Sequence, residues 1–383
     1  MSRGLIILFF CHFTVDLFTG IWPLYKKLAN IDLYEAGIIA MVGGILGNCS
    51  QLIFGVFADK GYRKILLLAG ILLSSMASFY AIANSNIAYL FLLILTFIGS
   101  SMFHPAATGM VGNLTSHRKG FLISLFVAGG GLGLAISQIV YAFVYEHFEK
   151  NTLILLILPL VGIVAYFLLP SQAFSSPKEE KGEKQQNMFA AIFQVFKTLK
   201  CLYFLMVINA ALNIGVIFLI PELMEQLNMG DAMIKGFGHF CFVIGGATFI
   251  VITSGLSDRF GYKNIIIASL LVALPIWYLF LNSEIDSLVL KSILFVCLGG
   301  ALSICNPIGV ALGQHLLPKQ SSLVSALLMG CAWALGSLGV LLTSFLAKKF
   351  NPIFALNILG ICMVLNIVIA SFLPNIKKSG KTE

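Results

Sequence analysis

At 383 residues, with 59% hydrophobic and only 10% charged side chains and a mean hydropathy of +0.97, the chain carries more apolar surface than a soluble domain of its length could hide from water. Composition therefore excludes a soluble globular domain and implies a polytopic, all-α membrane protein. The net charge of +8 reads as an orientation signal in the loops, with no nucleic acid as partner.

A hydrocarbon core of about 30 Å takes roughly 20 apolar residues per helix, and twelve such runs follow in chain order. The first, 4–28, has no small-residue cleavage site, reads on directly as a span, and carries His12, Asp16 and Trp22. The second, 34–58, carries Asn48 and Gln51 and ends in the loop "GVFADKGYRK" (55–64); the third is 65–84. The fourth, 88–113, contains "GSSMFHPAATG" (99–109), where His104 and Pro105 interrupt an apolar helix. The fifth, 120–145, is rich in glycine (Gly129, Gly130, Gly131, Gly133) and holds Gln138; the sixth is 151–169. A polar stretch, "PSQAFSSPKEEKGEKQQN" (170–187), then divides the chain, so that 1–169 and 198–383 are two six-helix halves joined by a linker over 170–197. In the second half the runs are 198–224 (Asn209, Asn213), 233–256 (His239), 264–282, 288–315 (Asn306, Gln314), 322–347 (Trp333) and 352–373.

With both termini cytoplasmic, all but seven of the 24 Lys and Arg fall on the cytoplasmic side; the exceptions are Lys26, Lys27, Lys150, Lys235, Lys291, Lys348 and Lys349. The expected location is a bacterial inner membrane. The eight Cys fit no metal-ligand spacing, so neither a metal site nor a cofactor is expected.

The halves repeat each other at an offset of about 200 residues. "GVFADKGYRK" is matched by "SGLSDRFGYK" (254–263), "FHPAATGMVGNL" (103–114) by "CNPIGVALGQHL" (305–316), and "SLFVAGGGLG" (124–133) by "SALLMGCAWALG" (325–336). Parallel repeats of this kind imply a central cavity and alternating access by rocking.

On these loops the chain resembles the major facilitator superfamily over nearly its whole length. The family signature G-x-x-x-D-[RK]-x-G-[RK]-[RK] is met by Gly55, Asp59, Lys60, Arg63 and Lys64, except that Gly61 comes one place early. The second copy keeps Asp258, Arg259, Gly261 and Lys263 but begins with Ser254. The resemblance implies that these residues gate the cycle, Gly55 by close helix approach and Asp59 by meeting a helix N-terminus in one state. A narrower resemblance, to the fosmidomycin-resistance-like exporters, rests on "HFTVDLFTGIWP" (12–23), "FHP" (103–105), "SLFVAGGGLG" and "LLPKQSSLVSALLMGCAWALGSLGV" (316–340). Unlike the drug antiporters of the family, the chain has neither Arg nor Lys in its fourth span.

Asp16 is the one acid near a span centre, where an unpartnered carboxylate costs roughly 2.5 to 3.5 kcal/mol, and His12 lies one turn earlier on the same face. At about 1.5 Å rise per residue, Asp16 and His104 each stand roughly 20 Å from a cytoplasmic basic residue, Arg3 and Arg118. The resemblance puts the first and fourth helices on the cavity, making Asp16, His12 and His104 the proton-coupling set, with Pro105 bending the helix there. His239, alone in its span, reads as structural. By the same resemblance Trp22, Asn48, Gln51, Gln138, Asn209, Asn213, Asn306, Gln314 and Trp333 line the substrate cavity, and amides with aromatic walls suit a neutral or amphipathic solute. Phosphate-cradling glycine motifs and nucleophile–base spacings are lacking, so neither ATP nor enzymatic catalysis is expected. The reading is a monomeric, proton-coupled exporter of small organic compounds in the lipid bilayer. A proton-coupled importer of a nutrient or metal chelate and a transporter-like receptor are the alternatives.

Overall fold

The computed structural model describes residues 3–114, 119–170, 173, 188–253 and 256–376, and among them there are helices and turns but no strand. Among the described residues, ten helical runs are long and apolar enough to cross a membrane. One of these, Leu33–Ile82, spans 50 residues and covers both the second and the third predicted spans; the shorter apolar helix Thr152–Tyr166 stands at the sixth. Each of the twelve predicted positions therefore has a helix. The seventh starts early: the helix Met188–Gln226 takes in the last ten residues assigned to the linker, and 174–187 lie outside the described residues.

Apolar residues surround these helices on every side, as a bilayer solvent requires. Large side chains such as Ile87, Val251 and Phe167 are mostly exposed, while others such as Trp277, Tyr80 and Phe103 are buried between helices. Side-chain caps start four of the even-numbered spans, the second, fourth, tenth and twelfth. Asp32 accepts from the Tyr34 and Glu35 amides, Ser85 from Ala88, Ser287 from Leu290 and Asn351 from Phe354, each satisfying amide groups that the helix itself leaves open.

The repeat seen in the sequence has a backbone counterpart. Gly61 (φ 97°) and Gly261 (φ 89°) both take the left-handed conformation, each directly before a tyrosine, and each breaks the chain between two consecutive spans. Gly55, expected to allow close helix approach, has open space beside it, since a Cβ on it would meet nothing within 4 Å.

The chain forms two compact units, one of Met1–Lys181 with Ile220–Phe240, the other of Gly182–Leu219 with Cys241–Glu383. In the first, the core gathers Leu5, Leu8, Cys11 and Val15 of the first helix, Ile71 of the third, Phe103 and Met110 of the fourth and Phe126 of the fifth. In the second, the ninth and twelfth helices are tied by the Trp277 indole donating to Leu356 O (3.2 Å) and by reciprocal amide bonds between Asn282 and Asn357.

Candidate functional site

His12 and Asp16 sit one turn apart on the first helix, Arg3–Thr19. They meet the fifth helix where glycines let the backbones approach. A Cβ on Gly129 would be 2.8 Å from Phe9 O, one on Gly133 would overlap the Phe13 carbonyl, and one on Gly130 would overlap the His12 and Asp16 side chains themselves. Gly131, by contrast, faces open space. The glycine-rich stretch is thus a close-packing face with one member turned away.

That approach brings the Phe126 carbonyl to 2.9 Å from His12 Nδ1. The imidazole of His12 also stacks on the Phe126 ring, with centroids 4.2 Å apart. His104 enters from the fourth helix, Asn86–Asn113, which runs unbroken through Pro105. Its Nδ1 lies 2.7 Å from Ser100 O and 3.1 Å from Ser100 Oγ. The remaining nitrogens converge on the acid: His12 Nε2 is 3.1 Å from Asp16 Oδ2, His104 Nε2 is 3.2 Å from Asp16 Oδ1, and the two Nε2 atoms are 3.2 Å apart. The cluster is largely shielded, with side-chain exposures of 5% for His12, 17% for Asp16 and 28% for His104.

A carbonyl oxygen can only accept, so each histidine must carry a hydrogen on Nδ1. A neutral ring so oriented presents a bare Nε2 lone pair. Two such lone pairs and a carboxylate within hydrogen-bond reach of one another are all acceptors, and they are reconciled only by a proton or another cation among them. The sequence places His12 and Asp16 on one face; the fold adds His104 and sets both tautomers.

The other predicted residues fall into three groups. Asn209 donates to Asn306 Oδ1 (3.0 Å) and Asn213 to Asn209 O, making an amide cluster in the second unit, where Gln314 also donates to Ser325 Oγ (2.8 Å) and Trp333 is half-buried. Asn48 bonds its own helix at Gly44 O, and Gln51 is half-buried. Trp22 and Gln138 are buried, their donors taken by Ala36 O and Gly20 O, and Trp22 packs among Tyr25, Tyr80 and Tyr89. In the first loop, exposed Asp59 stands 3.6 Å from buried Arg63, whose guanidinium lies against Gly109, while Lys60 and Lys64 are exposed. In the second, Arg259 lies over the Phe260 ring, Lys263 donates to Ser371 O, and the Asp258 side chain is outside the described residues. His239 is buried with Nε2 donating to Leu134 O at 2.9 Å.

Sequence reasoning missed a set of ion pairs in the first unit. Lys26, 1% exposed, donates to both oxygens of Glu222 at 2.6 Å, Lys27 pairs with Glu225, and Lys235 bridges Glu146 (2.5 Å) and Asp231 (2.6 Å). A signal was present: Lys26 and Glu222 stand at nearly the repeat offset, with opposite charge at the ends of matching spans.

A family model for the Major Facilitator Superfamily matches residues 4–326 and, again, 202–382. The chain belongs to the Major Facilitator Superfamily. It is similar to the fosmidomycin resistance protein of Escherichia coli (strain K12), 23% identical over 343 residues that cover 87% of this chain and 82% of that one. It is also 22% identical over 351 residues to the uncharacterized MFS-type transporter YfnC of Bacillus subtilis (strain 168), covering 88% and 84%. The nucleoside transporter NupG has the same fold, with a TM-score of 0.72 at 15% identity over 97% of this chain and 98% of that one. As a major facilitator protein this chain is an integral membrane transporter with a small-molecule substrate. Its fourth helix carries His104 and has no Arg or Lys between Asn86 and Asn113.

Proposed function

We propose that this transporter couples proton movement to export of small organic, amphipathic solutes, with Asp16, His12 and His104 as the proton site. The observation that carries this reading is the facing of three acceptors whose ring tautomers are fixed by the Phe126 and Ser100 carbonyls. With a proton, an imidazolium and the carboxylate neutralise each other in a medium where either charge alone is costly. Without it, Nε2 lone pairs confront the carboxylate, so proton occupancy changes which arrangement of the first, fourth and fifth helices is favoured.

Residues 1–169 and 198–383 act as the two rocking halves of a monomer, with 170–197 and both termini cytoplasmic and the protein in a bacterial inner membrane; the distribution of Lys and Arg supports that orientation. The amides Asn48, Gln51, Asn209, Asn213, Asn306 and Gln314, with Trp333, provide donors and acceptors for the solute, while Trp22 and Gln138 shape the wall from behind. Asp59, Lys60, Arg63 and Lys64, with Gly55, gate one side of the cycle, and Asp258, Arg259, Gly261 and Lys263 are their repeat. Export is supported by the similarity to a fosmidomycin resistance protein across most of both chains.

The test is flux of a labelled panel of amphipathic solutes in inverted vesicles, with and without an imposed proton gradient. The expected result is gradient-dependent accumulation of at least one compound. Flux indifferent to the gradient would overturn coupling, and accumulation confined to right-side-out vesicles would make the protein an importer.

A further inference from the structure

We infer that the same three side chains form a binding site for one divalent first-row transition ion, of the Zn²⁺, Co²⁺ or Ni²⁺ class, which competes with the proton for the Nε2 atoms and the carboxylate. The inference uses the proton site proposed above, but it stands on donor geometry rather than on coupling. Among the described residues His12, Asp16 and His104 are grouped closely enough for each to offer one atom to a common ion.

Tetrahedral coordination at about 2.0 to 2.1 Å places neighbouring donor atoms about 3.3 Å apart. The observed separations are 3.1 Å (His12 Nε2 to Asp16 Oδ2), 3.2 Å (His104 Nε2 to Asp16 Oδ1) and 3.2 Å (Nε2 to Nε2). The two Nε2 atoms thus stand near one edge of such a tetrahedron and each faces its own oxygen of the shared carboxylate, with one donor atom from each of the three side chains within 4.8 Å of the others. Two neutral imidazoles and a carboxylate suit borderline ions and leave a further coordination position for water or a donor atom of an organic solute.

The supporting contacts also match. A metal-ligating imidazole usually donates its other N–H to a carbonyl, which fixes the tautomer and aims the ring. Both rings do this, His12 to Phe126 O and His104 to Ser100 O, so both Nε2 lone pairs are directed inward. Gly130 adds room, since a Cβ there would overlap His12 Nε2 and the Asp16 carboxylate. No metal-ligand spacing marks the set in the sequence, because His104 is 92 residues from His12.

The test uses the full chain in nanodiscs, with Co²⁺ followed by visible absorption and Zn²⁺ by calorimetry. One ion per chain is expected, with intense Co²⁺ ligand-field bands of low-coordinate geometry and no displacement by excess Mg²⁺ or Ca²⁺, which prefer all-oxygen sites. Asp16→Asn and His104→Gln should each weaken binding at least tenfold, while His147→Gln and His239→Gln leave it unchanged. His104→Cys keeps a ligand and should add a sulfur-to-cobalt charge-transfer band, a gain that a folding defect cannot mimic. Binding that persists in the triple variant H12Q/D16N/H104Q, or no binding by the native chain, overturns the inference. Repeating the calorimetry in buffers of different ionisation enthalpy separates the two readings. Proton release on binding supports both, whereas binding without release sustains the metal site and removes the proton from the cluster. Gradient-driven transport by a chain that binds no ion removes the metal site alone.

Discussion

His12 and His104 are each anchored through Nδ1 to a backbone carbonyl, which leaves Nε2 as the one ring atom free to change partners. Replacing either by glutamine keeps a polar side chain but removes an exchangeable ring nitrogen from the cluster. His12→Gln and His104→Gln should therefore each alter the pH dependence of gradient-driven transport. If the three groups act as one network, neither change should add to the effect of Asp16→Asn, whereas independent sites would give additive losses. A pH series of initial transport rates for the single and double variants measures this directly. At this scale the sequence was half legible. Asp16 stood out because a carboxylate in mid-span is costly, and His12 because four residues make one helical turn. The tautomer of His12 was hidden, because the carbonyl that sets it lies 114 residues away, whereas the one that sets His104 is four residues before it.

The fifth helix shows how an element positions the site. Its glycines were legible as a stripe, but which of them meets a neighbour depends on helix rotation, and that is decided by packing against Phe9 and Phe13 of the first helix. Two substitutions separate the cases. Gly133→Val would drive a branched side chain into the Phe13 backbone and should lower stability by about 1 to 3 kcal/mol, the usual range for overpacking. Gly131→Ala meets open space and gains helix propensity, so stability should stay level or rise by up to about 1 kcal/mol. Thermal unfolding in detergent compares them, and equal losses at the two positions would mean that the two helices are not packed as described. The same dependence on packing explains Gly55. Its place in the loop signature was readable, yet no neighbour lies within reach of a Cβ there. The placement of the apolar helices was legible because hydropathy reports the solvent directly, whereas the helical start at Met188 was obscured by the polar composition just before it.

Over the whole molecule, the buried pair of Lys26 and Glu222 ties residues on either side of the linker into one compact unit. Removing one partner strands the other, so Lys26→Met alone should cost about 3 kcal/mol or more, and adding Glu222→Leu should recover most of that loss. Thermal unfolding of the single and double variants decides it; a double variant as unstable as the single would show that the pair is not the source. If the two proposed halves rock against each other, this pair opens during the cycle, and the double variant should then also change the transport rate, read as initial flux. The central claim, that Asp16 carries the proton that drives the cycle, is tested most directly by comparing Asp16→Asn with the native chain in two assays on the same vesicles. One is solute exchange at equilibrium and the other is accumulation under an imposed proton gradient. Asparagine cannot release a proton, so exchange should persist while gradient-driven accumulation falls to the level of vesicles lacking the protein. Full accumulation by Asp16→Asn would contradict the claim and leave His12 and His104 as structural histidines beside a buried acid.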